Sequence, residues 1–92
     1  MSWKILALPT FLKELARLPQ PTRKQVEEFA FESLPAADDP LSIGKIEKLK
    51  GHRNFYKSRF GDYRVGLHVD RKAREVRLCR VLHRREIYRR FP

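Results

Sequence analysis

Cysteine is nearly absent: Cys79 is the only one in 92 residues. No internal disulfide can form, so stability has to come from a packed core, and the usage fits a reducing compartment, here read as the cytoplasm. Long apolar runs are missing as well. None approaches the roughly 20 residues that a membrane-spanning helix needs. The opening MSWKILALPT has one Lys and no small-residue cleavage site, so it reads as a first strand and not as a targeting signal. Glycine is sparse, and Gly61 and Gly66 make no phosphate-cradling loop. His52, His68 and His83 have no metal-ligand spacing with Cys79 or the acids. There is no nucleophile elbow, no paired-carboxylate signature, no repeat and no low-complexity tract. No metal and no cofactor are therefore expected, and any chemistry falls to Lys, Arg, Tyr and His.

Acid is scarce in one half only. Residues 1–50 hold 8 Lys+Arg and 7 Asp+Glu, net +1, whereas residues 51–92 hold 13 and 4, net +9. Solubility alone does not require such one-sided placement. A concentrated basic face attracts polyanions and speeds encounter with them. No basic amphipathic helix with a Trp/Leu face is visible, which argues against a membrane surface. Nucleic acid is the partner this distribution predicts.

The length fits one domain, residues 1–92. Trp3–Leu8 reads as a buried strand. Thr10 is the expected N-cap of a helix over Phe11–Leu18, with Phe11, Leu15 and Leu18 on one face. A second helix is expected over Pro21–Leu34, its stripe formed by Val26, Phe29, Ala30 and Leu34. Pro35–Pro40 reads as a loop and Leu41–Gly51 as mostly irregular. From Asn54 the period becomes two. Strands are expected at Asn54–Phe60, Tyr63–Asp70 and Glu75–Leu82, with turns at Gly61-Asp62 and Arg71–Arg74. HRREIYRRFP follows as a short helix or extended segment. The order β-α-α-β-β-β describes an α+β fold, with a helical hairpin packed on a mainly antiparallel sheet.

Successive side chains of a strand point to opposite faces. Tyr63, Val65, Leu67 and Val69 therefore share a greasy face, and Tyr56, Ser58 and Phe60 can join it. Lys57, Arg59 and Arg64 fall together on the other. Val76 and Leu78 suit the core, but Arg80 then lands on the apolar side, which implies a bulge, an edge or a different phase. Like charges set across a sheet destabilise it. Such a cluster works against folding unless an anion offsets it, and conflicts of this kind are expected at functional sites. The bland reading is that each cation reaches water separately.

Leu49-Lys50-Gly51, Tyr56-Lys57, Gly61-Asp62-Tyr63-Arg64 and His83-Arg84-Arg85-Glu86-Ile87-Tyr88, with these spacings, resemble the RelE-type toxins of the RelE/ParE toxin–antitoxin superfamily. The resemblance extends over almost the whole chain. It implies a messenger-RNA endonuclease acting on the ribosome, with a cognate antitoxin protein as a further partner. It also implies a site made of Lys57, Arg59, Arg64, Arg84 and Tyr88, with His83 near the place where some relatives carry a catalytic histidine. Arg59 stands where the best-known pattern has lysine, and arginine hardly deprotonates, which argues against a base at this position. Lys57, crowded by arginines, is one candidate proton acceptor and His83 the other. Lys50, Arg85, Arg89 and Arg90 are candidates for RNA contact. The sister ParE-type toxins resemble gyrase inhibitors, and a noncatalytic RNA-binding protein would need the same basic face. The Arg and Tyr of HRREIY favour the nuclease pattern.

Overall fold

The computed structural model describes residues 3–43 and 45–92. Gly44, inside the stretch read as irregular, lies outside them. Strand β1 (Lys4–Ala7) leads into α1 (Pro9–Ala16) and α2 (Thr22–Glu28). The second helix continues through a π-helical turn (Phe29–Ser33) into the single turn α3 (Leu34–Ala36). Strands β2 (Ile46–Lys48), β3 (Phe55–Phe60), β4 (Tyr63–Asp70) and β5 (Glu75–His83) follow, then helix α4 (Arg84–Arg90). The sheet order is β1-β5-β4-β3-β2, with β1 parallel to β5 and every other pair antiparallel. No described helix is long and apolar enough to cross a membrane.

The expected α+β architecture is the one observed, with three local corrections. Helix α1 starts ahead of Thr10: Leu8 is the extended N-cap, without a side-chain cap bond. Pro9 at the first helical position has the right φ and needs no N–H partner there. The second helix runs past Leu34 through Pro35. Proline gives no N–H, its ring crowds the carbonyl one turn back, and the turn ahead of it is the wide one. The third correction is β2, a three-residue edge strand inside the stretch read as irregular. Three residues are too few to display an alternation.

Phe11 and Leu15 of α1, Leu18 just past its end (the helix stops at Ala16, short of the expected Leu18), and Val26, Phe29, Ala30 and Leu34 of the second helix bury against Val65, Leu67, Val69, Val76, Leu78 and Val81. At roughly 25 cal/mol per Å² of apolar surface removed from water, this layer is the main source of stability. Arg80 resolves as a bulge: Gly66 faces Arg80 and Leu67 faces Leu78, so Cys79 is the extra residue. β1 pairs with β5 only as far as Leu78. Beyond it Glu14 takes the strand's place, accepting from the Val81 N–H at 3.1 Å and from the Arg80 guanidinium at 2.6 Å.

A smaller cluster lies on the other face of the sheet. Leu49, Ile87 and Phe91 are buried there, with Phe55, Cys79 and Leu82 packed around them. It is what attaches α4 to the sheet.

Candidate active site

The hairpin β3–β4 sets the geometry. Arg59 lies directly opposite Arg64, and Lys57 opposite Gly66. All point away from α1 and α2, because the alternate positions Tyr56, Phe60, Tyr63 and Val65 are taken up by the main core. Gly61 turns the chain with φ +57, a left-handed value that suits glycine. The turn also fixes Arg64. Its guanidinium donates to the Gly61 carbonyl at 2.7 Å and to the Tyr63 carbonyl at 2.9 Å, and the residue is only 6% exposed. A guanidinium held by two carbonyls is preorganised, and its remaining donors need no rearrangement to meet a developing negative charge.

Helix α4 lays Tyr88 across this floor. The Lys57 ammonium donates to the Tyr88 phenol oxygen at 3.0 Å and lies 5.0 Å from the ring centroid. That hydrogen bond holds the Tyr88 phenol below the ordinary tyrosine range. Partial desolvation opposes the shift, while the charge of Lys57 and the bond and charge of Arg64 add to it. Lys57, Arg59, Arg64, Tyr88 and Glu47 line one cleft of about 190 Å³. Among the described residues no carboxylate forms an ion pair with Lys57, Arg59 or Arg64, although Arg23, Arg77, Arg80, Arg84, Arg89 and Arg90 all have one. The cleft therefore presents uncompensated positive charge around a phenol and one carboxylate. Among the described residues no three His, Cys, Asp or Glu side chains group as a metal site.

Glu47 is the lining residue that reading the sequence missed. It faces Lys57 across the β2–β3 pair. With β2 taken as irregular, it had no face to be assigned to. The Ile-Glu-Lys triplet just before the Leu-Lys-Gly turn was the available signal.

Two of the residues expected in the catalytic site stand outside the cleft. His83 pairs with Tyr63 and its ring lies 5.6 Å from the Tyr63 ring, on the helix side of the sheet. Its Nδ1 accepts from the Arg85 N–H at 3.2 Å and caps α4. The bulge is the physical reason, because one extra residue moves every later side chain of β5 to the other face. Arg84 lies beside the hairpin turn. Its N–H donates to the Asp62 carbonyl at 2.7 Å, and its Nε is 3.9 Å from the Asp62 carboxylate. Lys50 is exposed in the turn before β3, and Arg85, Arg89 and Arg90 are exposed on α4. Arg89 and Arg90 both lean on Glu86.

The family described as the ParE toxin of type II toxin–antitoxin systems matches residues 5–88. Toxin RelE3 of Methanocaldococcus jannaschii is 38% identical over 90 residues, covering 97% of this chain and 99% of its own. Toxin RelG of Mycobacterium tuberculosis is 33% identical over 90 residues, covering 98% of this chain and 100% of its own. Among solved structures, the RelB–RelE antitoxin–toxin complex from Methanococcus jannaschii superposes with a TM-score of 0.77 at 33% identity, over 95% of this chain and 99% of that one. The sheet, the helical hairpin and these full-length likenesses agree: the chain belongs to the RelE-type toxins of the RelE/ParE toxin–antitoxin superfamily.

Proposed function

We propose that this toxin is a metal-independent endoribonuclease that cuts messenger RNA on the ribosome, using the substrate's own 2′-hydroxyl. The observation that carries the reading is the cleft in which Lys57, Arg59 and Arg64, none of them in an ion pair among the described residues, surround Tyr88 and Glu47. A phosphodiester in that cleft offsets the repulsion between the cations, and Arg64 and Arg59 are shaped to fork onto its oxygens.

RNA brings its own nucleophile. The 2′-oxygen attacks phosphorus and loses its proton to the Glu47 carboxylate. A carboxylate can accept a proton at once, whereas a lysine ammonium must first lose one. Arg59, Arg64 and Lys57 stabilise the extra charge on the phosphorane. The P–O5′ bond breaks and the leaving oxygen takes the phenolic proton of Tyr88. The hydrogen bond from Lys57 lowers the Tyr88 pKa and so strengthens it as an acid. The products are a 2′,3′-cyclic phosphate and a 5′-hydroxyl. Arg84, His83, Lys50, Arg85, Arg89 and Arg90 remain outside this chemistry. The exposed basic ones suit contact with ribosomal RNA.

The Methanococcus jannaschii structure is an antitoxin–toxin complex, and by that likeness this chain takes a cognate antitoxin. The second reading is gyrase inhibition, favoured by the ParE description of the matching family. One experiment separates them. Purified protein is added to programmed ribosomes and cut sites are mapped on the message, with gyrase supercoiling assayed in parallel. Cuts that need the ribosome, with supercoiling untouched, support the nuclease. Intact message with blocked supercoiling overturns it.

A further inference from the structure

Helix α4 has seven residues, far fewer than an isolated helix needs to persist in water. Its place over the cleft is set by what it packs on. Arg84, Arg85, Tyr88, Arg89 and Arg90 are exposed. The helix is attached through Ile87, 1% exposed, and through Phe91, 7% exposed, one turn further on. The Phe91 N–H closes that turn on the Ile87 carbonyl at 2.8 Å. Tyr88 sits between the two anchors.

The Phe91 ring occupies a seat that only glycine leaves open. A Cβ on Gly66 would stand 2.9 Å from three atoms of that ring. Unlike Gly51 and Gly61, Gly66 does not have a positive φ. Its backbone is ordinary strand and would accept alanine, so the bar to a side chain here is the ring of Phe91. Phe55 closes the seat from the side, with its ring centroid 5.4 Å from that of Phe91. Gly66 is also the residue directly opposite Lys57. The anchor thus lands beside the group that Tyr88 must reach.

We propose that Phe91, seated on Gly66, is a positioning residue that holds the Tyr88 phenol on Lys57. The catalytic part of this inference rests on the nuclease reading, but the geometric part does not. Phe91 touches no substrate; it acts through the register of α4. With the seat filled, the phenol stays in hydrogen-bond reach. With the seat empty or blocked, Ile87 is the one buried side chain left to hold the far end of α4, and the phenol drifts away from the ammonium.

The test uses the full chain carrying Phe91→Ala, Phe91→Leu or Gly66→Ala. Tyrosine ionisation is followed by ultraviolet difference spectra or by NMR of the Tyr88 ring, beside thermal unfolding and single-turnover cleavage on ribosomes. In Phe91→Ala and Gly66→Ala, Tyr88 is expected to ionise at an ordinary tyrosine pH, and bound-state cleavage to fall about 10²-fold, the usual penalty for a displacement near 1 Å. Phe91→Leu, which keeps an apolar anchor, should recover part of both. On a Tyr88→Phe background, Phe91→Ala should lower the rate little further. If Phe91→Ala does not fold, Gly66→Ala and Phe91→Leu carry the same readings. Tyr88 that still ionises low in folded Phe91→Ala or Gly66→Ala overturns the proposal. So does a cleavage loss that multiplies fully with Tyr88→Phe. If the wild-type chain cleaves nothing, the nuclease reading fails, and the titration still decides whether Phe91 places Tyr88.

Discussion

The two faces of the sheet are built on opposite rules. Toward α1 and α2, β3, β4 and β5 present Phe60, Val65, Leu67, Val69, Val76, Leu78 and Val81, all buried, and the buried polar side chain among them is Ser58. On the other side, Lys57, Arg59 and Arg64 stand across neighbouring strands without ion-pair partners among the described residues, under a seven-residue helix. The first face gains from every contact it makes. The second sets like charges across neighbouring strands, which opposes folding. The difference is a division of labour: most of the buried apolar surface lies on one face, and the cations without ion pairs among the described residues lie on the other.

The largest effect expected comes from the charged face. Arg64→Ala should lower the ribosome-bound cleavage rate by about 10²–10³-fold, the typical result of removing one preorganised donor. Its unfolding free energy should fall by only about 1 kcal/mol, from the lost bonds to the Gly61 and Tyr63 carbonyls. Arg89→Ala is the contrast. It should weaken ribosome binding more as salt falls and leave the bound rate intact. Equal, small losses at both positions would reduce the face to a generic basic patch.

Leu67→Ala attacks the other face. With Leu67 fully buried, denaturant unfolding should show a loss of about 2–5 kcal/mol. Protein that remains folded should still cut at the normal bound rate. A selective loss of rate in the folded fraction would mean that the two faces are not separable.

The pH dependence follows from Tyr88. Its pKa is lowered from the usual value near 10 by the Lys57 hydrogen bond. The neutral phenol, the proton donor of the proposed reaction, is therefore present below that lowered pKa and lost as pH rises through it. The alkaline limb of the bound rate should fall earlier than an ordinary tyrosine would dictate. In Lys57→Ala the Tyr88 ionisation, read by absorbance, should move upward. A limb that ignores Tyr88→Phe would remove the phenol from the proton transfer.

The smallest effect belongs to Ser58, whose hydroxyl is buried without a hydrogen-bond partner among the described residues. Ser58→Ala should be neutral or raise unfolding stability by about 1 kcal/mol, because an orphan polar group is removed from the apolar face. A clear loss of stability would reveal a partner for that hydroxyl.

Legibility in the sequence followed the range of the interaction that decides each feature. β4 and the turns on either side of it are set by local alternation and turn residues, and Tyr63–Asp70 was bounded to the residue. The start of α1 was missed because two local rules competed, and proline at the first helical position prevailed over threonine as a cap. β2 has three residues and no readable period, so Glu47 stayed invisible. The grouping of Lys57, Arg59 and Arg64 needed only the alternation of two adjacent strands. Placing His83 needed the phase of β5 beyond Cys79, where a bulge, an edge and a shifted phase all fitted the sequence. Nothing local relates Gly66 to Phe91. That contact exists only once α4 folds back over the sheet.

The central claim is that the charged face cuts RNA with the substrate's own hydroxyl. It is tested most directly with a message carrying a single 2′-deoxy nucleotide at the mapped cut site, on ribosomes, with binding measured separately. Normal binding and no cleavage at that position are expected, and an unmodified message should yield an upstream fragment that ends in a 2′,3′-cyclic phosphate or its 3′-phosphate product. Cleavage of the deoxy message at the normal rate, or an upstream fragment ending in a 3′-hydroxyl, would contradict it.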